Sequence, residues 1–283
     1  MSKSSGVWRT GQKEARGFRQ FYREWQPATE STLPVLALHG SLTQSGMWIA
    51  LAEETASVRL LCPDQRGFGL SEDPSGDSCA DFAGDALALA DELLPGRFTI
   101  MGHSFACSIA LEVARSASAR VASVVLVDPV VRVNPPPHAP TLPKPNPESL
   151  ASMEEAERHF REAEEGEWPD DSLPRFVRDV MMRDGGVVRF PYTNERLHRL
   201  RTFTVSAASD YDLFSKAKSV ACPVLVLRGG MSKRFPAAGE HALCNAFPWP
   251  VQVVVCPRSG HFPSSTETAL VSESLKTFLA GIS

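Results

Sequence analysis

Residues rich in Val, Leu and Ile recur along the chain in six short runs, each bounded by turn-forming residues such as Gly, Pro and Asp. Because these runs do not alternate with polar residues, the pattern predicts strands that are buried on both faces of a sheet. The predicted strands are 33–40, 58–64, 97–104, 121–128, 222–230 and 251–257.

Segments with a helical period of apolar positions separate several of these runs. Residues 79–94 place apolar side chains on one face of a helix, and the Ala-rich segment 104–117 follows directly on a predicted strand. Strands and helices in alternation predict an α/β fold with a mostly parallel central sheet and helices on both faces. In such sheets ligands bind at the carboxyl ends of the strands.

One region, residues 130–212, interrupts this alternation and is predicted to be an inserted helical cap. The core is then formed by residues 1–129 and 213–283. The proline-dense stretch at the start of the cap cannot form a helix, so we interpret it as a hinge or tether. Within the cap the pattern predicts helices over 148–168 and 171–186, followed by a turn with a short extended segment over 185–194.

The composition is that of an ordinary globular protein, with 43% hydrophobic and 22% charged residues in a chain of 283. This length allows one large domain or one domain with an insertion. The formal net charge of -4 gives no indication of binding to nucleic acid or to an anionic membrane.

The six cysteines form no CxxC pair, and several lie inside apolar runs, so we expect buried free thiols in a reducing compartment. The first 20 residues are polar and lack the apolar stretch of a signal peptide. No apolar run approaches the roughly 18 residues of a membrane span. The expectation is a soluble, cytoplasmic protein.

The stretch "GHSFA", residues 102–106, lies where a predicted strand meets a predicted helix. A nucleophile on such a turn needs small neighbours, and Gly102, Ser104 and Ala106 fit G-x-S-x-G with alanine in the last place. The alternative is that Ser104 is only the N-cap of the helix that follows.

Three further motifs accompany this serine in the order expected for one fold. His39 and Gly40 end a predicted strand, "DQRGFGLS" follows the next strand, and His261 lies in "RSGHFPSS" after the last strand. Asp64 and Arg66 of the second motif are expected to form a structural pair that braces the loop beside the site. The chain resembles proteins of the α/β-hydrolase fold, in the large cap-bearing group of esterases and lyases, from about residue 20 to its end.

The resemblance implies a role for each of these positions. Ser104 would be the nucleophile and His261 its general base, since a serine hydroxyl reacts poorly until a base takes its proton. The backbone N–H groups of Phe105 and Ser41, with Leu42 as the alternative to Ser41, would form the oxyanion hole.

The acidic member of the triad is where this sequence departs from the common pattern of the family. The family usually carries its acid a few residues beyond the strand predicted at 222–230, and Ser232 stands there instead. Asp128, at the end of the preceding strand, is the preferred substitute, because some members of the family draw the acid from that position. Asp210 and Asp212 are the second candidates, and their structural interpretation is that of helix N-caps.

The sequence contains no zinc-binding motif, P-loop or dinucleotide-binding fingerprint, so no metal or cofactor is expected. The predicted function is hydrolysis of a small or medium carboxylic ester, or of an amide or thioester, through an acyl-enzyme. The alternatives are a C–C bond hydrolase or a lyase on the same triad, and a ligand-binding homologue without turnover, which Ser232 favours slightly.

The expected partner is a small-molecule substrate, and the arginines of the cap would allow it to bear a carboxylate, since guanidinium groups bind carboxylates in a bidentate way. Neither nucleic acid nor a membrane is expected, and the protein is predicted to be a monomer or a homodimer. The cap arginines considered are Arg158, Arg161, Arg175, Arg178, Arg189, Arg196, Arg199 and Arg201.

Overall fold

The computed structural model describes residues 6–30, 32–131, 146–147, 149–164, 166–169 and 171–282. Most of the proline-dense stretch predicted as a hinge or tether therefore lies outside the described residues.

Eight strands form one sheet in the order β1-β2-β4-β3-β5-β6-β9-β10. The strands from β4 to β10 in this order pair in parallel, and the two strands at the other edge pair antiparallel. All six predicted strands belong to the parallel part, so the predicted α/β fold with a mostly parallel sheet is confirmed. The strands of this sheet are β1 (Gly6–Ala15), β2 (Phe18–Pro27), β3 (Val35–Leu38), β4 (Leu60–Pro63), β5 (Phe98–His103), β6 (Val121–Val127), β9 (Val224–Gly229) and β10 (Gln252–Cys256).

The antiparallel hairpin of β1 and β2 has no counterpart among the predicted strands. It turns at Arg16 and Gly17, both at positive φ, and pairs Ala15 with Phe18. β1 is an edge strand on which partly buried and exposed residues mostly alternate. Its sequence therefore lacks the unbroken apolar run by which the buried strands were predicted.

The helices cover both faces of the parallel sheet. Alternate residues of each strand point to opposite faces, so Leu36 and Leu38 pack with α2 and α3, whereas Val35 and Ala37 pack with α1 and α10. The helices are α1 (Ile49–Thr55), α2 (Cys79–Leu93), α3 (Ala106–Ser116), α4 (Met153–Ala163), α5 (Ser172–Val180), α6 (Asn194–Ser206), α7 (Leu213–Ala217), α8 (Ala237–Cys244), α9 (Pro263–Thr266) and α10 (Thr268–Ala280). Burial on both faces is the reason that the strands read as unbroken apolar runs.

Between β6 and β9 the described chain forms α4, α5, a small hairpin, α6 and α7 rather than strands of the main sheet. The predicted helix over 171–186 is wrong beyond Val180. From there the chain enters β7 (Met182–Asp184), which pairs with β8 (Val187–Arg189) across a two-glycine turn.

A buried ion cluster joins α6 to the loop after β4. The Arg196 guanidinium contacts the carboxylates of Asp77 and Asp73, and Arg199 contacts the same two groups. The Arg196 side chain is 1% exposed and Asp77 is 6% exposed. Arg196 therefore serves a structural contact, and its guanidinium is not available to bind a ligand.

Replacing Arg196 with methionine should lower the free energy of unfolding by about 3 kcal/mol, because it leaves the buried Asp77 carboxylate with only its Arg199 contact. Urea denaturation measures the change. The matched control is Arg189→Met, which removes an exposed pair with Asp184 and should cost less than about 1 kcal/mol. Equal losses in the two variants would contradict a stabilising role for the buried cluster.

The cysteines were predicted to be buried free thiols, and all six are unpaired. Four are buried, and Cys222 and Cys244 are partly exposed.

Within the described ranges, no helix combines the length and the apolar character that crossing a membrane requires.

Candidate active site

Ser104 lies on the sharp turn between β5 and α3, at a φ of 60°. This left-handed backbone conformation is sparsely populated by residues other than glycine and costs about 1–3 kcal/mol. The turn is held by the Ser104 N–H, which donates to the carbonyl of Val127 at 3.0 Å. Gly102 permits it, because a Cβ there would lie 2.3 Å from the carbonyl oxygen of Ala106.

The loop after β3 approaches this turn closely. A Cβ on Gly40 would lie 2.6 Å from His103 Nδ1 and 3.3 Å from Ser104 Cβ. Glycine is therefore required at position 40 to bring the N–H groups that follow it next to Ser104.

His261, in the loop between β10 and α9, contacts both of its predicted partners. Its Nε2 lies 2.9 Å from Ser104 Oγ, and its Nδ1 lies 2.7 Å from Asp128 Oδ2. In this arrangement Nδ1–H donates to the carboxylate, and Nε2 can accept the serine proton. The neighbouring His103 has its Nε2 2.7 Å from the carbonyl oxygen of His261.

Asp128 is fully buried at the end of β6, and its carboxylate is surrounded by donors. Oδ1 accepts from the Gly229 N–H at 2.8 Å, and Oδ2 accepts from the Ser232 hydroxyl at 2.6 Å as well as from His261. Sequence reasoning identified Ser232 only as a departure from the family pattern. The structure shows that the serine at the usual acid position hydrogen-bonds to the aspartate on the earlier strand.

Of the two other candidate acids, Asp212 is the N-cap of α7, as its structural interpretation predicted, whereas Asp210 is not an N-cap, because Ser78 holds that position in the helix that Asp210 contacts. Asp210 accepts from the Cys79 N–H at the start of α2 at 2.7 Å, and Asp212 accepts from the Phe214 N–H at the start of α7 at 3.0 Å. Of the three candidates for the acid, Asp128 is the one that contacts His261.

Burial sets the protonation of the His261–Asp128 pair. It lowers the pKa of His261 well below the ordinary histidine value and raises the pKa of Asp128 to about 6, against the opposing effect of the Ser232 and Gly229 hydrogen bonds. At neutral pH the imidazole is therefore neutral and the carboxylate is ionised. This is the state in which His261 can accept a proton from Ser104.

The predicted oxyanion donors face the same cavity as Ser104. Ser41, Leu42 and Phe105 all line it, and among the hydrogen bonds of the described residues none is donated by their backbone N–H groups. These N–H groups are thus free to bind a negatively charged oxygen.

The expected pair of Asp64 and Arg66 is wrong. Arg66 binds the Asp85 carboxylate at 2.6 Å, and the two oxygens of Asp64 accept from the N–H groups of Ser45 and Leu70. Asp64 thereby connects the loop after β3 to the loop after β4. Contacts of a side chain with backbone N–H groups of other loops cannot be predicted from the spacing of residues in the sequence.

The cavity has a volume of about 720 Å³ and lies between the core and the segment that precedes α7. Ser104, His261 and the loop after β3 form one side, and residues of α6 and the turn after it form the other. Its further lining residues include Val130, Val131, Arg201, Thr204, Ser209, Tyr211, Asp212, Leu213, Phe214, Arg234 and Phe262. In the described part of the chain, no group of three or more His, Cys, Asp or Glu side chains is arranged to hold a metal ion.

Comparison with known proteins gives a family match and several distant relatives. The model of the "Alpha/beta hydrolase family" matches residues 35–273. The chain is 27% identical to "Putative carbamate hydrolase RutD" of Variovorax paradoxus over 243 residues, covering 81% of this chain and 84% of that protein.

Solved structures share the fold. An alpha/beta hydrolase of Novosphingobium aromaticivorans superposes with a TM-score of 0.75 at 22% identity, covering 96% of this chain and 98% of its own. The thioesterase domain from the curacin biosynthetic pathway superposes with a TM-score of 0.74 at 18% identity, covering 96% and 99%. At these identities the likeness supports the fold alone.

Proposed function

Because the chain belongs to the α/β hydrolase family, we propose that it is a cofactor-independent serine hydrolase that cleaves a small or medium carboxylic ester through an acyl-enzyme. The observation that carries the proposal is the continuous series of contacts from Asp128 through His261 to Ser104, which ends at a cavity. Each group in that series has the protonation state that nucleophilic catalysis needs.

In the proposed acylation step Ser104 Oγ attacks the ester carbonyl carbon while His261 Nε2 takes the hydroxyl proton. The carbonyl oxygen becomes negative and is stabilised by the N–H groups of Phe105 and Ser41. The C–O bond to the alcohol then breaks, and His261 returns its proton to the leaving oxygen. Asp128 holds the imidazole in the required tautomer and stabilises its charged form.

In the deacylation step His261 takes a proton from water, and the hydroxide oxygen attacks the acyl carbon. Collapse of this second tetrahedral intermediate releases the carboxylic acid and returns the proton to Ser104. No group outside the three side chains, the two N–H groups and water is needed for this cycle.

The segment 130–212 is proposed to be a cap over the cleft. Arg201 and Thr204 of α6, with Ser209 after it, line the same cavity as Ser104. A substrate would enter between these residues and the carboxyl ends of the strands.

Hydrolysis at a carbonyl is preferred over binding without turnover, because Ser104 and the proposed oxyanion donors line one cavity with His261. The name carbamate hydrolase, carried by a protein that is 27% identical to this chain, also describes cleavage of a bond at a carbonyl. C–C bond hydrolysis, lyase chemistry and binding without turnover stay as alternatives.

Mass spectrometry of enzyme quenched in acid during hydrolysis of p-nitrophenyl butyrate tests the proposal. The proposal predicts steady release of p-nitrophenol and a butyryl group on the peptide that contains Ser104. Steady release of p-nitrophenol with no butyryl group on any peptide would contradict hydrolysis through an acyl-enzyme. A binding protein without turnover would release no p-nitrophenol above the uncatalysed rate.

Replacing Ser232 with alanine should move the acidic limb of the kcat/KM profile to higher pH by about one unit. A hydrogen bond to a charged group contributes about 1.5 kcal/mol or more, and one pKa unit corresponds to about 1.4 kcal/mol. The Ser232 hydroxyl lowers the pKa of Asp128, so its loss raises that pKa above about 6. Activity depends on the ionised carboxylate, so it is lost at a higher pH as the solution is acidified.

The Ser232 prediction is checked by measuring kcat/KM from pH 4.5 to 9, a range that brackets the ordinary histidine pKa of about 6.5. Ser232→Thr keeps a hydroxyl at this position and should keep the wild-type limb. A profile for Ser232→Ala that lies on the wild-type profile, or that moves to lower pH, would show that this hydroxyl does not tune Asp128.

A further inference from the structure

We propose that Arg201 binds a carboxylate of the substrate, so that this site acts on esters carrying a second, anionic end. The inference rests on the proposed function and adds the substrate class. Arg201 and Ser104 line the same cavity.

Arg201 differs from Arg175, Arg196 and Arg199 of the same segment, which bind carboxylates. Arg196 and Arg199 bind Asp73 and Asp77, and Arg175 binds Glu53 at 2.7 Å. In the described ranges no Asp or Glu carboxylate lies within 4.0 Å of the Arg201 guanidinium. Arg201 is thus a partly buried cation that faces the catalytic cavity without an acid beside it.

The surroundings of Arg201 disfavour an isolated positive charge. Burial lowers the pKa of its guanidinium, and Arg234, on the same cavity, adds repulsion. Arg234 is itself held by Glu164, whose side chain is 2% exposed. Because an arginine stays protonated in proteins, the unfavourable charge is relieved by an anion rather than by loss of the proton.

One acidic side chain, that of Asp212, also lines the cavity. Its carboxylate accepts from the Phe214 N–H at the start of α7, and it makes no ion pair with Arg201 in the described structure. It therefore leaves the guanidinium fork open for a bidentate contact with a carboxylate.

The rest of the lining suits a short molecule that is charged at one end. Thr204 lies one turn after Arg201 on α6, and both reach the cavity. Phe105, Phe214 and Phe262 provide apolar wall around it. A small ester with its carboxylate at Arg201, its carbonyl at Ser104 and methylene groups between them matches this distribution.

The test compares the monomethyl esters of glutaric and adipic acids with their carboxamide isosteres, in which the free carboxylate is replaced by CONH₂. Methanol release gives kcat/KM for each. The wild type should prefer the carboxylate ester of the better-fitting length by about 30-fold or more, because a bidentate charged contact is lost in the carboxamide. Arg201→Gln removes the same contact and should bring this ratio close to one. Arg178→Gln, which changes an exposed arginine of α5, should keep the wild-type ratio.

Two results would overturn the inference while leaving ester hydrolysis in place: no preference for the carboxylate in the wild type, or the same preference in Arg201→Gln. If neither kind of ester is hydrolysed, the proposed function fails. Calorimetry with glutarate then tests separately whether Arg201 binds a carboxylate. Binding that weakens in Arg201→Gln supports the anion site, and equal binding or none in the wild type overturns it.

Discussion

Replacing Ser104 with alanine is expected to lower kcat for ester hydrolysis by about 10⁴- to 10⁶-fold, the range seen when a nucleophile is removed from a system of this kind. The Ser104 Oγ is the atom that forms the acyl bond, and no other hydroxyl is placed 2.9 Å from His261 Nε2 in the described structure. The oxyanion donors stay in place, so a weak residual rate above that of water should remain.

The assay for Ser104→Ala is steady-state hydrolysis of p-nitrophenyl butyrate by matched preparations. Alanine fits the turn as serine does, so the variant should fold, which circular dichroism and thermal unfolding verify. Ser116→Ala, at the exposed end of α3, controls for loss of a serine hydroxyl and should keep the wild-type rate. A Ser104→Ala enzyme that keeps a tenth or more of the wild-type kcat would remove the basis of the mechanism.

Replacing Asp128 with asparagine should lower kcat by about 10⁴-fold at pH 7 with little change in KM. The amide can present an N–H to His261 Nδ1, which stabilises the tautomer that carries its proton on Nε2. In that tautomer Nε2 cannot accept the proton of Ser104. Burial is unchanged, so the effect reports on charge and tautomer.

The controls for Asp128→Asn are Asp210→Asn and Asp212→Asn. Both carboxylates accept N–H groups at helix starts, and asparagine caps helices about as well as aspartate. These variants should fold and keep most of the activity. A large loss of activity in either control, together with a small loss in Asp128→Asn, would show that Asp128 is not the acid of the triad.

The parallel sheet and the position of Ser104 could be predicted because their causes are local. An unbroken apolar run reflects burial on both faces, and the small residues around Ser104 reflect the space available at its turn. The resemblance to the α/β-hydrolase fold rests on such motifs, and the family match over residues 35–273 confirms it.

Features that depend on one edge or one exposed face were missed. β1 exposes half of its residues, and polar residues interrupt the apolar positions of β2, so the apolar signal of this hairpin is weak. The end of α5 was placed too late, because the strand after it is three residues long and pairs with a hairpin partner across Gly185 and Gly186. Periodicity does not resolve an element of this length.

The contacts that set the chemistry join residues more than 100 positions apart. Ser232 and Asp128 are separated by 104 positions, and His261 and Asp128 by 133. Spacing suggested the wrong partner for Arg66 and left three aspartates as candidates for the acid. The cap boundaries, the monomeric or homodimeric state and the cytoplasmic location stay predictions.

The central claim is that Ser104 is made reactive by His261, and covalent labelling with a fluorophosphonate probe tests it most directly. The account predicts fast, stoichiometric labelling of the native protein, with mass spectrometry locating the phosphonate on the peptide that contains Ser104. Labelling should be lost in Ser104→Ala and should slow by orders of magnitude in His261→Ala. Native protein that labels no faster than the denatured chain, or a label carried by another residue, would contradict the account.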